Sequence, residues 1–156
     1  MIMAFGTIGF MIGGLMGAPW VPTRRRDMEH ILDDTKLKKG ELFIELGCGD
    51  GRLLAAASRR GARAIGYEIN PVMWLVATLR NIRYYPRVRV RLGNFWHREL
   101  GDADAVMAFL MPRFMTKLQS KAKTEMRSGA RLVSYIYRLP TKQPEHKGRC
   151  WFVYKY

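Results

Sequence analysis

Residues 45–52 read ELGCGDGR, and three glycines at alternate positions, Gly47, Gly49 and Gly51, divide an apolar run from a helical pattern. Glycine at such a place lets the backbone turn sharply and approach a ligand closely, because no Cβ stands in the way. The dinucleotide fingerprint G-x-G-x-x-G puts its third glycine in the opening turn of the helix. Here that position is Arg52. Two acids, Glu45 and Asp50, accompany the glycines, and two carboxylates repel a pyrophosphate. A ligand with a cationic centre and an amino-acid end suits them better. S-adenosylmethionine, with a sulfonium, an ammonium and an adenosine, has that character. A tight turn between strand and helix would use the same glycines, so the loop by itself leaves both readings open.

Further residues become relevant once the elements that carry them are placed. From Asp27 the chain alternates helical and strand patterns without an internal repeat. Helical patterns cover Asp27–Leu37, Arg52–Arg60 (stopped by Gly61), Pro71–Tyr84 and Phe114–Arg127, with Asn70 as the cap of the third and Pro71 at its first position. Strand patterns cover Glu41–Leu46, Ala62–Glu68, Val88–Phe95, Asp104–Met111, Arg131–Tyr137 and Trp151–Tyr156. The Val/Arg alternation of VRVRL predicts an edge strand with one wet face. The last strand follows the fifth through a loop alone, which predicts an antiparallel pairing. This order predicts an α/β fold, with an open, mostly parallel sheet covered on both faces.

In such a sheet ligands sit outside the carboxyl ends of the strands, at the topological switch point. The residues there are Glu45 to Gly47, Glu68 and Ile69, Asn94 and Phe95, and Phe109 to Pro112. Glu68 falls about 20 residues beyond the glycine loop, the offset at which an acid takes the ribose hydroxyls of a nucleotide cofactor, although a solvated acid at a strand end would stand there too. The Asn94 amide suits an adenine edge, with Ile69 or Phe95 over the ring, although a turn residue explains Asn94 nearly as well.

Composition bounds the partners. There are 27 Lys and Arg against 13 Asp and Glu in 156 residues, a formal charge of +14. Such a surface attracts nucleic acid, anionic lipid or acidic protein without choosing among them. Cys48 and Cys150 form neither a disulfide framework nor a metal cluster, so a reducing compartment is expected and no metal. His30, His97 and His146 lie among polar neighbours and read as surface residues.

Met1 to Thr23 carries no charged side chain and ends against Arg24, Arg25 and Arg26. Its uninterrupted apolar core, Ile2 to Ala18, is a little shorter than the ~20 residues that span a bilayer, with Trp20 and Val21 left for the interface. A secretory signal would put the positive charge before the apolar run. The reversed order predicts a retained single-pass anchor over residues 1–21, with the remainder on the cytoplasmic or mitochondrial matrix side; a buried or disordered N-terminus is the alternative reading. Gly9, Gly13 and Gly17, spaced by four, either form a small-residue packing face or reflect the general frequency of glycine in such helices. The expected organisation is an anchor over 1–21, a preceding segment over 22–40 and the catalytic domain over 41–156.

GAPWVPTRRR, ELGCGDGR, GYEINP, GNFW and ADAVMAFLMPRFMTKLQSKAKTEMRSGARLVSY occur in this order and together cover about residues 17 to 139. On these stretches the chain resembles the seven-strand protein lysine methyltransferases that include archaeal enzymes and the mitochondrial ATP synthase c-subunit lysine methyltransferase. The resemblance implies a Rossmann-like class I methyltransferase fold, S-adenosylmethionine as methyl donor and a protein lysine as acceptor. It implies that Glu45, Gly47, Gly49 and Gly51, with Asp50 among them, form the first cofactor motif, that Glu68 takes the ribose and that Asn94 lies by the adenine. Val21-Pro22-Thr23 would fold over the cofactor entrance. The chain departs from the pattern after the fifth strand, where Leu139-Pro140-Thr141 replaces a complete G-W-x-P-like segment, and its C-terminal part is short.

Methyl transfer from a sulfonium is an in-line displacement, so alignment and exclusion of water do most of the work. Desolvating the acceptor ammonium favours its loss of a proton. Phe109, Leu110, Met111 and Tyr135 are the expected acceptor pocket, and each of them reads equally well as a core residue. Two rivals remain. A nucleic-acid methyltransferase suits the charge, but Leu110-Met111-Pro112-Arg113 replaces the N/D-P-P-Y/F turn of N6-adenine enzymes. Neither cysteine sits where a cytosine C5 enzyme needs its nucleophile. A non-catalytic, membrane-tethered basic module would not need the Glu45, Gly47, Gly49, Gly51 and Glu68 set. The expected partners are therefore a lysine-bearing, membrane-associated protein and lipid; nucleic acid is not expected.

Overall fold

The computed structural model describes residues 23–156. The expected anchor, with Val21 and Pro22 of the expected cofactor entrance, lies outside the described residues. No helix among the described residues is long and apolar enough to cross a membrane.

Among the described residues four α-helices and seven strands follow one another as α1 (Arg25–Asp34), β1 (Leu42–Leu46), α2 (Arg52–Arg59), β2 (Arg63–Glu68), α3 (Pro71–Asn81), β3 (Val88–Leu92), β4 (Ala105–Ala108), α4 (Met115–Glu125), β5 (Arg131–Tyr135), β6 (His146–Lys147) and β7 (Trp151–Lys155). They build one sheet in the order β3-β2-β1-β4-β5-β7-β6. The first five strands pair in parallel, whereas β7 runs antiparallel to β5 with Val133 opposite Val153. The expected mostly parallel α/β sheet with an antiparallel last strand is therefore present, and β3 is its edge. Chain order reverses between β1 and β4, so the crevice for a ligand opens above the carboxyl ends of those two strands.

Strand periodicity sorts the side chains into two cores. Phe43, Met107, Val133 and Tyr135 face the layer of α1, α2 and α3. Leu42, Ile44, Leu46, Val106, Ala108 and Leu132 face α4. Successive β residues point to opposite faces, so a single position decides which layer a residue meets.

Some elements stop short of their expected ends. α3 gives way at Asn81 to a 3₁₀ turn over Ile82–Tyr84. There the Asn81 amide is turned inward to Gly51 and Ala77 carbonyls. β3 ends at Leu92, and Asn94 accepts from the Trp96 N–H to cap a 3₁₀ turn over Phe95–His97. β4 ends at Ala108 and β5 at Tyr135, where Ile136 takes φ +71°, a left-handed conformation that a β-branched residue rarely adopts. The two-residue β6 escapes a sequence reading because two residues show no period.

Candidate active site

The loop after β1 is built on left-handed backbone: Gly47, Gly49 and Gly51 have φ of +79°, +52° and +71°. At Gly51 the need for glycine is also steric, since a Cβ there would lie 2.6 Å from Asn81 Nδ2 and 3.0 Å from Ala77 Cβ. That close approach joins the loop to α3, and Asn81 completes the join by donating to the Gly51 carbonyl at 3.0 Å. At Gly47, by contrast, nothing lies within 4 Å of a built Cβ. The loop is thus packed against α3 at Gly51 and open at Gly47.

Glu68, at the end of β2, is buried and holds the loop from the strand next to β1. Its Oε2 accepts from the Gly49 N–H at 2.8 Å, and its Oε1 accepts from the Asn70 N–H, also at 2.8 Å. A carboxylate offers about four lone-pair sites. Each Glu68 oxygen therefore keeps one acceptor position, and the pair of them suits two adjacent hydroxyls. Asn70 in turn caps α3 by accepting from Val72 and Met73 N–H groups.

Glu45 lies on β1 under the loop and is buried, and no hydrogen bond reaches its Oε2. Burial, and then the negative charges of Asp50 and Glu68, push its carboxyl well above the usual range. A buried, unpartnered acid is costly unless something cationic or hydrogen-bonding meets it. Asp50 plays a different part. Burial would raise its pKa, but hydrogen bonds from Arg52 and the charges of Arg52 and Arg80 bring it below the ordinary value. Arg52 approaches it through Nε at 2.9 and 3.0 Å and Nη2 at 2.6 Å, and Arg80 at 3.1 Å. Asp50 is thereby neutralised from the helix side, and Glu45 is the loop acid left for a cationic ligand.

The remaining expected site residues divide. Phe109 and Tyr135 meet edge to face, with ring centroids 5.1 Å apart, on the α1 side of the sheet. The Tyr135 hydroxyl donates to Asp27 Oδ2 at 2.7 Å. Burial first, then this hydrogen bond and the Asp27 charge, push the Tyr135 phenol up to about 12, so it stays neutral and donates throughout the physiological range. Leu110, one residue beyond Phe109, belongs to the opposite core beneath α4 and does not join that pair. Met111 is half-buried and precedes the 3₁₀ turn over Pro112–Phe114. Phe95 is buried in the α4-side core against Trp96, with centroids 4.8 Å apart. Asn94 and Ile69 are half-buried near the ends of β3 and β2, and the Asn94 oxygen is engaged by its own turn. Thr23 is buried just ahead of α1.

Asp27 has no place among the expected site residues. The signal for it was present: Asp27 stands four residues before Ile31, so helical spacing puts an acid on the stripe that Met28, Ile31 and Leu32 bury. An acid on a buried stripe needs a partner, and β5 supplies one.

The family model described as the ANTKMT methyltransferase domain matches residues 45–146. The ATP synthase c-subunit lysine N-methyltransferase of Rattus norvegicus is 30% identical over 132 residues, which are 82% of this chain and 60% of that protein. The adenine nucleotide translocase lysine N-methyltransferase of Mus musculus is 34% identical over 137 residues, 81% of this chain and 56% of that one. A protein-lysine N-methyltransferase of Saccharolobus islandicus is 28% identical over 131 residues, 81% of each chain. The chain thus spans little more than half the length of the mammalian relatives. Its structure matches that of an RNA methyltransferase from Salinibacter ruber in complex with S-adenosyl-L-homocysteine, with a TM-score of 0.82 and 23% identity over 86% of this chain and 93% of that one. At that identity the match shows the fold, which is Rossmann-like and of the class I methyltransferase type.

Proposed function

The chain belongs to the ANTKMT methyltransferase domain family, and on that premise we propose that it is an S-adenosylmethionine-dependent protein lysine N-methyltransferase, held at a membrane by residues 1–21 and acting on lysines of membrane-associated proteins. The observation that carries the cofactor half of this reading is the buried, unpartnered Glu45 Oε2 beneath a glycine loop open at Gly47. A cation offered there relieves the cost of burying that acid. Glu68 has acceptor positions left for a ribose, and Gly47 leaves backbone bare for close approach. When bound, S-adenosylmethionine supplies an electrophilic methyl group on a sulfonium.

The acceptor half rests on the names of the relatives and on the wall formed by Phe109, Tyr135 and Asp27. Phe109 and Tyr135 are apolar surfaces beside the β1/β4 crevice that desolvate an incoming ammonium and favour the neutral amine. The Tyr135 ring is fixed in place by its bond to Asp27. The half-buried Met111 follows on the same chain segment. Neither a metal nor a side-chain nucleophile is required by this chemistry, because binding and alignment supply the rate. The tether rests on the uncharged run before Arg24 to Arg26, and it raises the effective concentration of any substrate in the same bilayer.

The test is incubation of the full chain with methyl-labelled S-adenosylmethionine and a membrane extract, followed by mass spectrometry of the labelled residue. Label on protein lysine is the expected result. Label recovered in RNA and not in protein would overturn the acceptor. For the tether, a chain lacking residues 1–19 should leave the carbonate-washed membrane pellet while still binding cofactor, and unchanged fractionation would overturn it.

A further inference from the structure

Helix α3 turns its apolar side to solvent. Ala77 and Asn81 are its buried positions, and the Trp74 Nε1–H donates to the Val90 carbonyl at 3.2 Å, which fixes that side on the β3 edge. The opposite side carries Val72, Leu75, Val76 and Leu79, at the i, i+3, i+4, i+7 spacing of one helical face. All four are exposed, Leu79 by 60%. The stripe runs on through Ile82 and Tyr85, exposed by 67% and 72%. Single exposed apolar residues are ordinary, but a contiguous stripe of six marks an interaction surface.

Charge identifies what covers it. A cleft of about 370 Å³ beside the stripe is lined by Arg25, Arg52, Arg59, Arg80 and Arg83, with one acid, Glu29, among them. Arg52 and Arg80 share Asp50, but no carboxylate among the described residues pairs with Arg25 or Arg83. An amphipathic helix lying in a bilayer interface has this make-up, with apolar residues on one side and arginines at the level of the phosphates. A neutral or basic protein helix packing on the stripe would leave the arginines uncompensated, and an acidic one would need carboxylates placed to match the cleft, whereas an anionic bilayer interface offers apolar depth and phosphates along the whole face at once.

We infer that α3 is a second membrane contact, separate from the N-terminal segment: its outward face inserts shallowly into an anionic bilayer surface and the arginine cleft takes lipid phosphates. Pro71 begins α3 only three residues after Glu68, so a bilayer seated on this face lies next to the mouth of the candidate active site. The inference does not depend on the methyl-transfer reaction, and it goes beyond the tether because it concerns how the domain is oriented once held.

The experiment places an environment-sensitive fluorophore on the face itself. The full chain carrying Cys150→Ser and Leu79→Cys is labelled, Cys48 being buried, and added to phosphatidylcholine vesicles with or without phosphatidylglycerol. A spin label on the lipid chains should quench the probe in the anionic vesicles, and a probe at exposed Ser120 on α4 should not respond. Arg25→Gln with Arg83→Gln should weaken the response of the Leu79 probe about fivefold per arginine, the equivalent of roughly 1 kcal/mol per cation near an anionic surface. Quenching by aqueous iodide under every condition overturns the inference. So does a probe already shielded without lipid and unchanged by vesicles, the result if residues 1–22 or a second copy cover the stripe; light scattering tells those two apart. Equal lipid quenching in neutral vesicles overturns the anionic surface. Because the probe reports the helix face and not retention of the chain, failure of the N-terminal tether is scored separately.

Discussion

Glu68→Gln separates a latch from a ligand site. In the protein each Glu68 oxygen accepts one backbone N–H, from Gly49 and from Asn70, both at 2.8 Å. Glutamine keeps one acceptor but sets an NH₂ group against the other N–H, so one charge-assisted bond is lost outright. Such bonds contribute about 1.5–3 kcal/mol, and at about 2–4 °C per kcal/mol in a domain of this size the melting temperature should fall by roughly 3–12 °C. If the free acceptor positions take ribose hydroxyls, affinity for S-adenosylmethionine falls as well. The loss of one charged acceptor there is again about 1.5–3 kcal/mol, roughly tenfold to a hundredfold in Kd. Calorimetry with the cofactor and with its 2′-deoxy analogue, on parent and variant, measures the coupling directly. Removal of the hydroxyl and removal of the carboxylate should be strongly non-additive. A variant that melts lower yet binds both ligands with parental affinity would refute the ribose assignment and leave Glu68 as a latch between β2 and the glycine loop.

Gly51→Ala should lower stability by about 2–4 kcal/mol, from roughly 1–2 kcal/mol for a left-handed alanine and the displacement of Asn81 from its two buried carbonyl bonds; a denaturation midpoint equal to the parent's would show that the loop and α3 are not locked together. The raised Glu45 pKa gives a signed pH dependence. An acid with a higher pKa folded than unfolded contributes stability that is full below the ordinary carboxylate range and is lost as pH rises through the elevated value. Parent stability should therefore gain on that of Glu45→Gln as pH falls from neutral toward the ordinary carboxylate range, and parallel melting profiles would count against a perturbed Glu45. A cation bound beside Glu45 would also expel its proton, so calorimetric heats in buffers of different ionisation enthalpy should differ for the parent and agree for the variant.

What the sequence determined by itself is what local chemistry and period determine. The turns at Gly47, Gly49 and Gly51, the Asn70 cap with Pro71 behind it, the wet edge strand of alternating Val and Arg, and the antiparallel return of Trp151–Lys155 all rest on neighbours a few residues apart. The tertiary structure decided whatever depends on which distant element arrives opposite. Asp27 meets Tyr135 across 108 positions of chain, and Asp50 is claimed by Arg80 as well as by its near neighbour Arg52. Sequence position alone leaves Leu110 open between pocket and core; adjacent residues leaving a strand face opposite layers, and only the placement of α4 shows that Leu110 is core. Likewise, the apolar spacing of Val72, Leu75, Val76 and Leu79 specifies one face of a helix. Which way that face points depends on where Ala77, Asn81 and the Trp74–Val90 bond seat the helix on the sheet, and they turn the stripe outward.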